Sequence, residues 1–189
     1  MDMRVVTAMI LLGFIVLIGI SLWAYRRRRT DRLRSRFGRE YERTVRDRAG
    51  RAGAEAELEA RVERVETLHV RELDPKDRAR LAEAWKSVQT QFADDPQGAA
   101  AAADHLVGEA MQARGYPVGT SEQCVADISV HHAHVVDDYR RAREITSRAD
   151  RGQASTEDLR EAMICYRALF AELTGTHNGG REVRDDRAA

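Results

Sequence analysis

Residues 5–25 read V-V-T-A-M-I-L-L-G-F-I-V-L-I-G-I-S-L-W-A-Y, an uncharged, mostly apolar run of 21 residues, and four arginines, Arg26 to Arg29, follow at once. About 20 apolar residues in a helix cross the hydrocarbon core of a bilayer. The run therefore predicts one membrane-spanning helix, with everything after it on one side. Gly13, Gly19, Thr7 and Ser21 are its weakest members, and all four residue types are tolerated in membrane helices. Trp23 and Tyr25 sit at the arginine end, the level amphipathic rings favour. The rival is a cleaved signal peptide, whose apolar region runs to roughly 7–15 residues and ends in an A-x-A-like site. Here the run is longer, and cleavage after Ala24 would place Leu22 where a small residue belongs.

The distribution of arginine orients the anchor. Arg4 alone precedes the run, whereas nine arginines fall in the 20 residues after it. Loops rich in Lys and Arg stay cytoplasmic. The expectation is a single-pass protein of the plasma (inner) membrane, with residues 1–4 outside and the C-terminal part in the cytoplasm.

Charge is balanced overall, with 31 basic and 31 acidic residues, yet it is segregated. Residues 26–51 carry 12 arginines against Asp31, Glu40, Glu42 and Asp47. Residues 52–189 carry 18 basic and 26 acidic residues. Juxtamembrane basic residues gain about 1 kcal/mol each from an anionic leaflet. Arg26, Arg27, Arg28, Arg29, Arg32, Arg34 and Arg36 are accordingly expected on lipid headgroups, with the acidic body standing off. Nucleic acid is a poor partner for this collar, which has little aromatic interleaving and precedes an acidic body. Lysine appears only at Lys76 and Lys86, which together with the many alanines suggests a GC-rich coding sequence. Two cysteines, Cys124 and Cys165, suit a reduced compartment with no disulfide framework.

Beyond the anchor the pattern is helical throughout. Residues 26–72 form a juxtamembrane and stalk segment. Within it Leu33, Phe37, Tyr41 and Val45 recur every four residues. Such a thin stripe with a basic opposite face fits either a helix lying in the membrane interface or a charged continuation of the anchor. Leu58, Val62, Val65 and Leu68 follow a heptad-like spacing for about two heptads, short of the three or four a coiled coil needs. They admit a stalk helix that pairs with a second copy.

The body, residues 73–174, reads as four or five helices joined by short loops, an arrangement that favours a compact bundle. Asp74-Pro75 opens the first, with Leu81, Trp85, Val88 and Phe92 on one face. Asp94-Asp95-Pro96 breaks the chain, and the alanine run 99–103 starts the next helix, which Gly115-Tyr116-Pro117 stops. Ser121 can cap a third. Residues 131–151 continue it or form a fourth. Ser155 to Asp158 has capping-box spacing before Leu159, Met163, Tyr166, Phe170 and Leu173. Gly175 closes that helix, and residues 175–189 lack apolar periodicity and are expected to be disordered.

One cluster carries a hint of chemistry. On a helix, His131, His134 and Asp138 share a face, and two imidazoles with a carboxylate can bind zinc or another divalent metal. The pattern lacks the Glu of H-E-x-x-H, and neighbouring histidines more often decorate a helix start. Cys165 reads as a buried inert thiol. Cys124, near a helix start, admits a lowered pKa. Tyr139 and Tyr166 read as core, or in the minority case as the lining of a ligand pocket. The chain has no P-loop, G-x-G-x-x-G, G-x-S-x-G or C-x-x-C, so neither a catalytic residue nor a cofactor is expected.

The segments R-F-G-R-E-Y-E-R-T-V (36–45), W-K-S-V-Q-T-Q-F-A-D-D-P (85–96), R-G-Y-P-V-G (114–119) and A-S-T-E-D-L-R-E-A-M-I-C-Y-R-A-L-F (154–170) resemble a bacterial family, of the kind seen in actinobacteria. Its members are short proteins with an N-terminal anchor and a helical body, and no activity is assigned to them. The resemblance implies an anchored all-α protein and carries over no functional residues. Its pattern calls for proline near position 133, where this chain has Ala133, so no ring enforces a helix break there.

These readings converge on a membrane-anchored interaction or scaffold module with an unknown protein partner. The alternative is a membrane-tethered, enzyme-like bundle that binds a small ligand or metal near His131, His134 and Asp138.

Overall fold

The computed structural model describes the backbone of residues 3–48, 50–117 and 121–176, and side chains from Leu12 onward, Ser121 excepted. Seven helices form it, with no strand among the described residues: α1 (Met3–Phe37), α2 (Arg39–Asp47), α3 (Arg51–Glu66), α4 (Pro75–Gln91), α5 (Pro96–Ala113), α6 (Ser121–Ala149) and α7 (Thr156–Thr174). The chain divides into two compact units, 1–59 and 60–189. The division falls inside the segment read as juxtamembrane and stalk. Of the tail expected to be disordered, 175–189, Gly175 and Thr176 close α7, Thr176 N donating to Ala171 O at 3.0 Å, and residues 177–189 lie outside the described residues.

In the first unit, the apolar run and the arginine collar are one uninterrupted helix, α1, which ends at Gly38. That glycine has φ 51° and ψ −121°, a backbone L side chains rarely adopt. Leu33, Phe37 and Tyr41 are buried, together with Ala54 and Leu58 of α3. The four-residue stripe is thus an internal packing face rather than one laid on a membrane interface. Val45, its last member, is half-buried. The heptad-like positions Leu58 and Val65 are likewise buried within the chain at 0% and 1% exposure, and Val62 and Leu68 are half-buried. Among the residues with described side chains no helix is long and apolar enough to cross a membrane. Of the apolar run, only residues 12–25 fall within that part of the chain.

The second unit is built around α7, which packs against α4, α5 and α6. Local chemistry sets the helix ends as the sequence predicts. Asp74 Oδ1 accepts from Lys76 N at 2.8 Å, and Asp95 Oδ1 accepts from Gly98 N at 2.8 Å, each cap preceding a proline in the first turn. Ser155 and Asp158 form a reciprocal capping box, and Gly175 closes α7 in the left-handed region. Ala99, Ala100, Ala103 and Ala110 of α5 are fully buried. Their short side chains let neighbouring helices come close at no cost in helix propensity. At the turn after α5, Gly115 has φ +92°, and a Cβ there would meet the His69 carbonyl oxygen at 2.6 Å. Arg71 N donates to Arg114 O at 2.9 Å beside the same turn.

Helix α6 is kinked. His132 departs from helical geometry (φ −128°, ψ 41°), so the stretch is two helical segments meeting where the sequence left one or two helices open. No proline produces the break. Arg64, at the end of α3, donates from Nε to Asp127 Oδ1 at 2.9 Å, and Gln123 Nε2 donates to the same oxygen at 2.9 Å. Asp127 is 1% exposed, and a buried carboxylate stays charged only with such partners.

Candidate functional site

The first requirement of a site on this bundle is an opening, and the packing of α4 on α7 makes one. Trp85 of α4 stacks on Phe170 of α7, with ring centroids 4.6 Å apart. Beside the pair lies an open groove of about 640 Å³. Trp85, Val135, Ala168 and Phe170 form its apolar walls, and His134, Arg167 and Glu172 stand at its polar edge. Ile164 also lines it and is 65% exposed, the one large apolar residue of the described body left in solvent.

At that edge the kink decides which histidine faces where. Glu172 of α7 takes two imidazoles: His134 Nε2 lies 3.1 Å from Oε1 and His132 Nδ1 lies 3.5 Å from Oε2. His131, one residue before the break, turns instead to Tyr116, whose hydroxyl is 2.9 Å from His131 Nδ1. Burial, and next the nearby Arg114 guanidinium, hold the His132 imidazole below its ordinary pKa, against the opposing pull of Glu172. His132 is therefore neutral at physiological pH. Its buried Nε2 has no hydrogen-bond partner.

The structure does not bring His131, His134 and Asp138 to one point. His131 serves Tyr116 and His134 serves Glu172. Asp138 is exposed and acts electrostatically on Cys165. No group of three His, Cys, Asp or Glu side chains is placed to hold a metal ion among the described residues. The pair that does gather around Glu172 is His132 with His134. The sequence offered no signal for this, because Glu172 lies 38 positions from His134 and the non-helical backbone at His132 breaks the straight-helix register.

Tyr139 and Tyr166 are core residues. Their rings meet edge to face at 6.1 Å, and both are almost fully buried. Thr146 Oγ1 lies 3.0 Å from the Tyr166 hydroxyl, Arg143 stacks over Tyr139 at 5.8 Å, and Asp104 stands 3.7 Å from Arg143. Burial pushes the Tyr139 phenol up to about 12, and that of Tyr166 higher still, with Asp104 adding to it. Neither phenol ionises near neutrality. They knit α5, α6 and α7 together, and neither lines the groove beside Trp85. Burial also raises the Cys165 thiol, with Asp138 adding to the shift, which fits an inert thiol. Cys124 is buried, its sulfur 3.7 Å from the Pro117 carbonyl oxygen.

In the first unit, the collar arginines line α1 directly after Tyr25. Arg26, Arg27, Arg28 and Arg32 are exposed. Arg29 pairs with Glu59, Arg34 pairs with Glu42 at 3.1 Å, and Arg36 is exposed on the same helix. Arg27 lies over the Trp23 ring at 5.2 Å. Comparison of the chain with family models, with curated proteins and with solved structures found no match.

Proposed function

We propose that α1 anchors this protein in the plasma membrane as a single pass and that the helical body acts in the cytoplasm as an interaction module. One observation carries the anchor. All ten large apolar residues described between Leu12 and Tyr25 are exposed, at 47% to 67%, on every face of the helix. Each such side chain forgoes roughly 1.5–3 kcal/mol when left in water. A helix apolar all round belongs inside a core or a bilayer, and no described part of this chain covers it. With residues 5–11, the sequence extends that surface to the length of a span. The arginine excess after the run sets the orientation.

For the body, the supporting feature is the groove beside Trp85 and Phe170, with Ile164 exposed on its wall. An apolar channel edged by Arg167, Glu172 and His134 suits an amphipathic helix of a protein partner. The second reading, a small-ligand or metal-binding bundle, draws on the His132–Glu172–His134 cluster at the same edge. Calorimetric titration with Zn²⁺ separates them, since a metal site requires saturable binding that His134→Ala abolishes.

Thiol accessibility in intact cells tests the topology. A reporter cysteine replaces the exposed Glu157, and Cys124 and Cys165 become alanine. Protection from a membrane-impermeant reagent until lysis is the expected result. Labelling of intact cells overturns the orientation.

A further inference from the structure

The arginine collar does more than present charge on a cylinder. Between the collar turn of α1 and the start of α3 lies a groove of about 730 Å³. Arg26, Arg27, Arg29 and Arg34 from α1 and Arg51 from α3 line it, against Asp31 and Glu55 as its acidic members. The lining residues carry five positive and two negative charges, before the pairs that Arg29 and Arg34 make outside the groove. Glu55 is 8% exposed and its Oε1 is engaged by Thr30 Oγ1 at 2.7 Å and by the Tyr41 hydroxyl at 3.0 Å, so its charge is turned to the wall. Two of the guanidinium groups are held from outside the groove, Arg29 by Glu59 and Arg34 by Glu42. Arg34 also stacks over Tyr41 at 5.3 Å. These supports fix the rotamers of long side chains before any ligand arrives, which lowers the entropy cost of binding. Arg29 Nε, at the groove, is buried and has no hydrogen-bond acceptor.

Guanidinium groups in such an array match phosphate oxygens in bidentate fashion. Trp23, the interfacial aromatic, lines the mouth of the same groove, and the exposed apolar helix continues directly above it. We infer that this groove is a headgroup site for an anionic phospholipid carrying two phosphates, its acyl chains running along the apolar stretch of α1. The inference rests on the anchored reading. Five guanidinium groups on one groove offer more donors than a single phosphate engages, which favours two phosphates over one, and the apolar helix at the mouth favours a lipid over a soluble anion.

The test uses the full chain in nanodiscs of phosphatidylcholine with equal parts phosphatidylglycerol and diphosphatidylglycerol, released and analysed by native mass spectrometry. The expected result is retention of the two-phosphate lipid several-fold above the one-phosphate lipid. Arg29→Gln and Arg51→Gln reduce that preference several-fold, and Arg46→Gln, an exposed arginine of α2 outside the groove, preserves it. Retention in proportion to abundance, or an equal loss in Arg46→Gln, overturns the site. Binding of inorganic pyrophosphate to the detergent-solubilised protein, with the same arginine dependence and no lipid preference, assigns the groove to a soluble anion and overturns the lipid. Release of the protein from nanodiscs by alkaline carbonate is a separate outcome: it defeats the anchor and is read without reference to lipid identity.

Discussion

The indole of Trp85 and the ring of Phe170 lie stacked, 4.6 Å between centroids and 19° from parallel, and this contact fastens α4 to the central helix α7. Both are nearly buried, yet both also form the wall of the body's open groove. The same pair therefore supports the fold and shapes the surface on which a partner is proposed to dock.

Removing either ring leaves a cavity. Trp85→Ala or Phe170→Ala is expected to cost roughly 3–5 kcal/mol, with a coupling of about 0.5–1.5 kcal/mol in the double mutant from the stacked geometry. Denaturant unfolding of the four variants in detergent measures it. Strict additivity would show that the stack contributes only buried area.

His132 ties stability to pH. Its imidazole is held below the ordinary value of 6.5 by burial first and Arg114 second, while Glu172 opposes and His131 adds a small push. A base whose folded pKa is depressed takes up fewer protons folded than unfolded. Its contribution is fully present above the unfolded pKa and is lost as pH falls from there toward the folded pKa. The midpoint of unfolding should fall between about pH 7 and pH 5, and His132→Gln should flatten that fall. An identical slope in both proteins would remove His132 as the cause.

Gly115 is irreplaceable on two counts, its positive φ and the 2.6 Å approach of a Cβ to the His69 carbonyl oxygen. Gly115→Ala should lose more than about 1 kcal/mol, because the gain from a stiffer unfolded chain is outweighed by native strain. Gly108→Ala is the comparison, since nothing lies within 4 Å of its added Cβ. It should stabilise α5 by up to about 1 kcal/mol. Thermal unfolding of the two variants should move in opposite directions.

The anchor is sensitive to charge at its centre. Ile15→Arg with Leu17→Arg should cost roughly 5–7 kcal/mol of insertion free energy, at about 2.5–3.5 kcal/mol for each arginine. The double variant should leave the membrane pellet under alkaline carbonate, whereas Ile164→Arg in the body should stay. Retention of the double variant would defeat the anchored reading.

By itself the sequence determined the helix content and most helix ends. These are local matters: Asp74, Asp95 and Ser155 cap because their side chains reach backbone N–H groups two or three residues on, and Gly175 ends α7 because only glycine takes that backbone freely. It also determined the apolar run, since an uninterrupted stretch of that length needs no partner to be read. Tertiary structure alone decided which way amphipathic stripes face. Leu33, Phe37 and Tyr41 have the spacing of an interfacial helix, but all three are buried within the chain, and the Tyr41 hydroxyl donates to Glu55 of α3. It alone decided the histidine cluster as well. On a straight helix His131 and His134 share a face; the break at His132, unsupported by proline, sends His131 to Tyr116 and gathers His132 and His134 around Glu172. Spacing along a chain fixes faces only while the helix stays straight, and what meets across helices depends on packing between residues far apart in sequence.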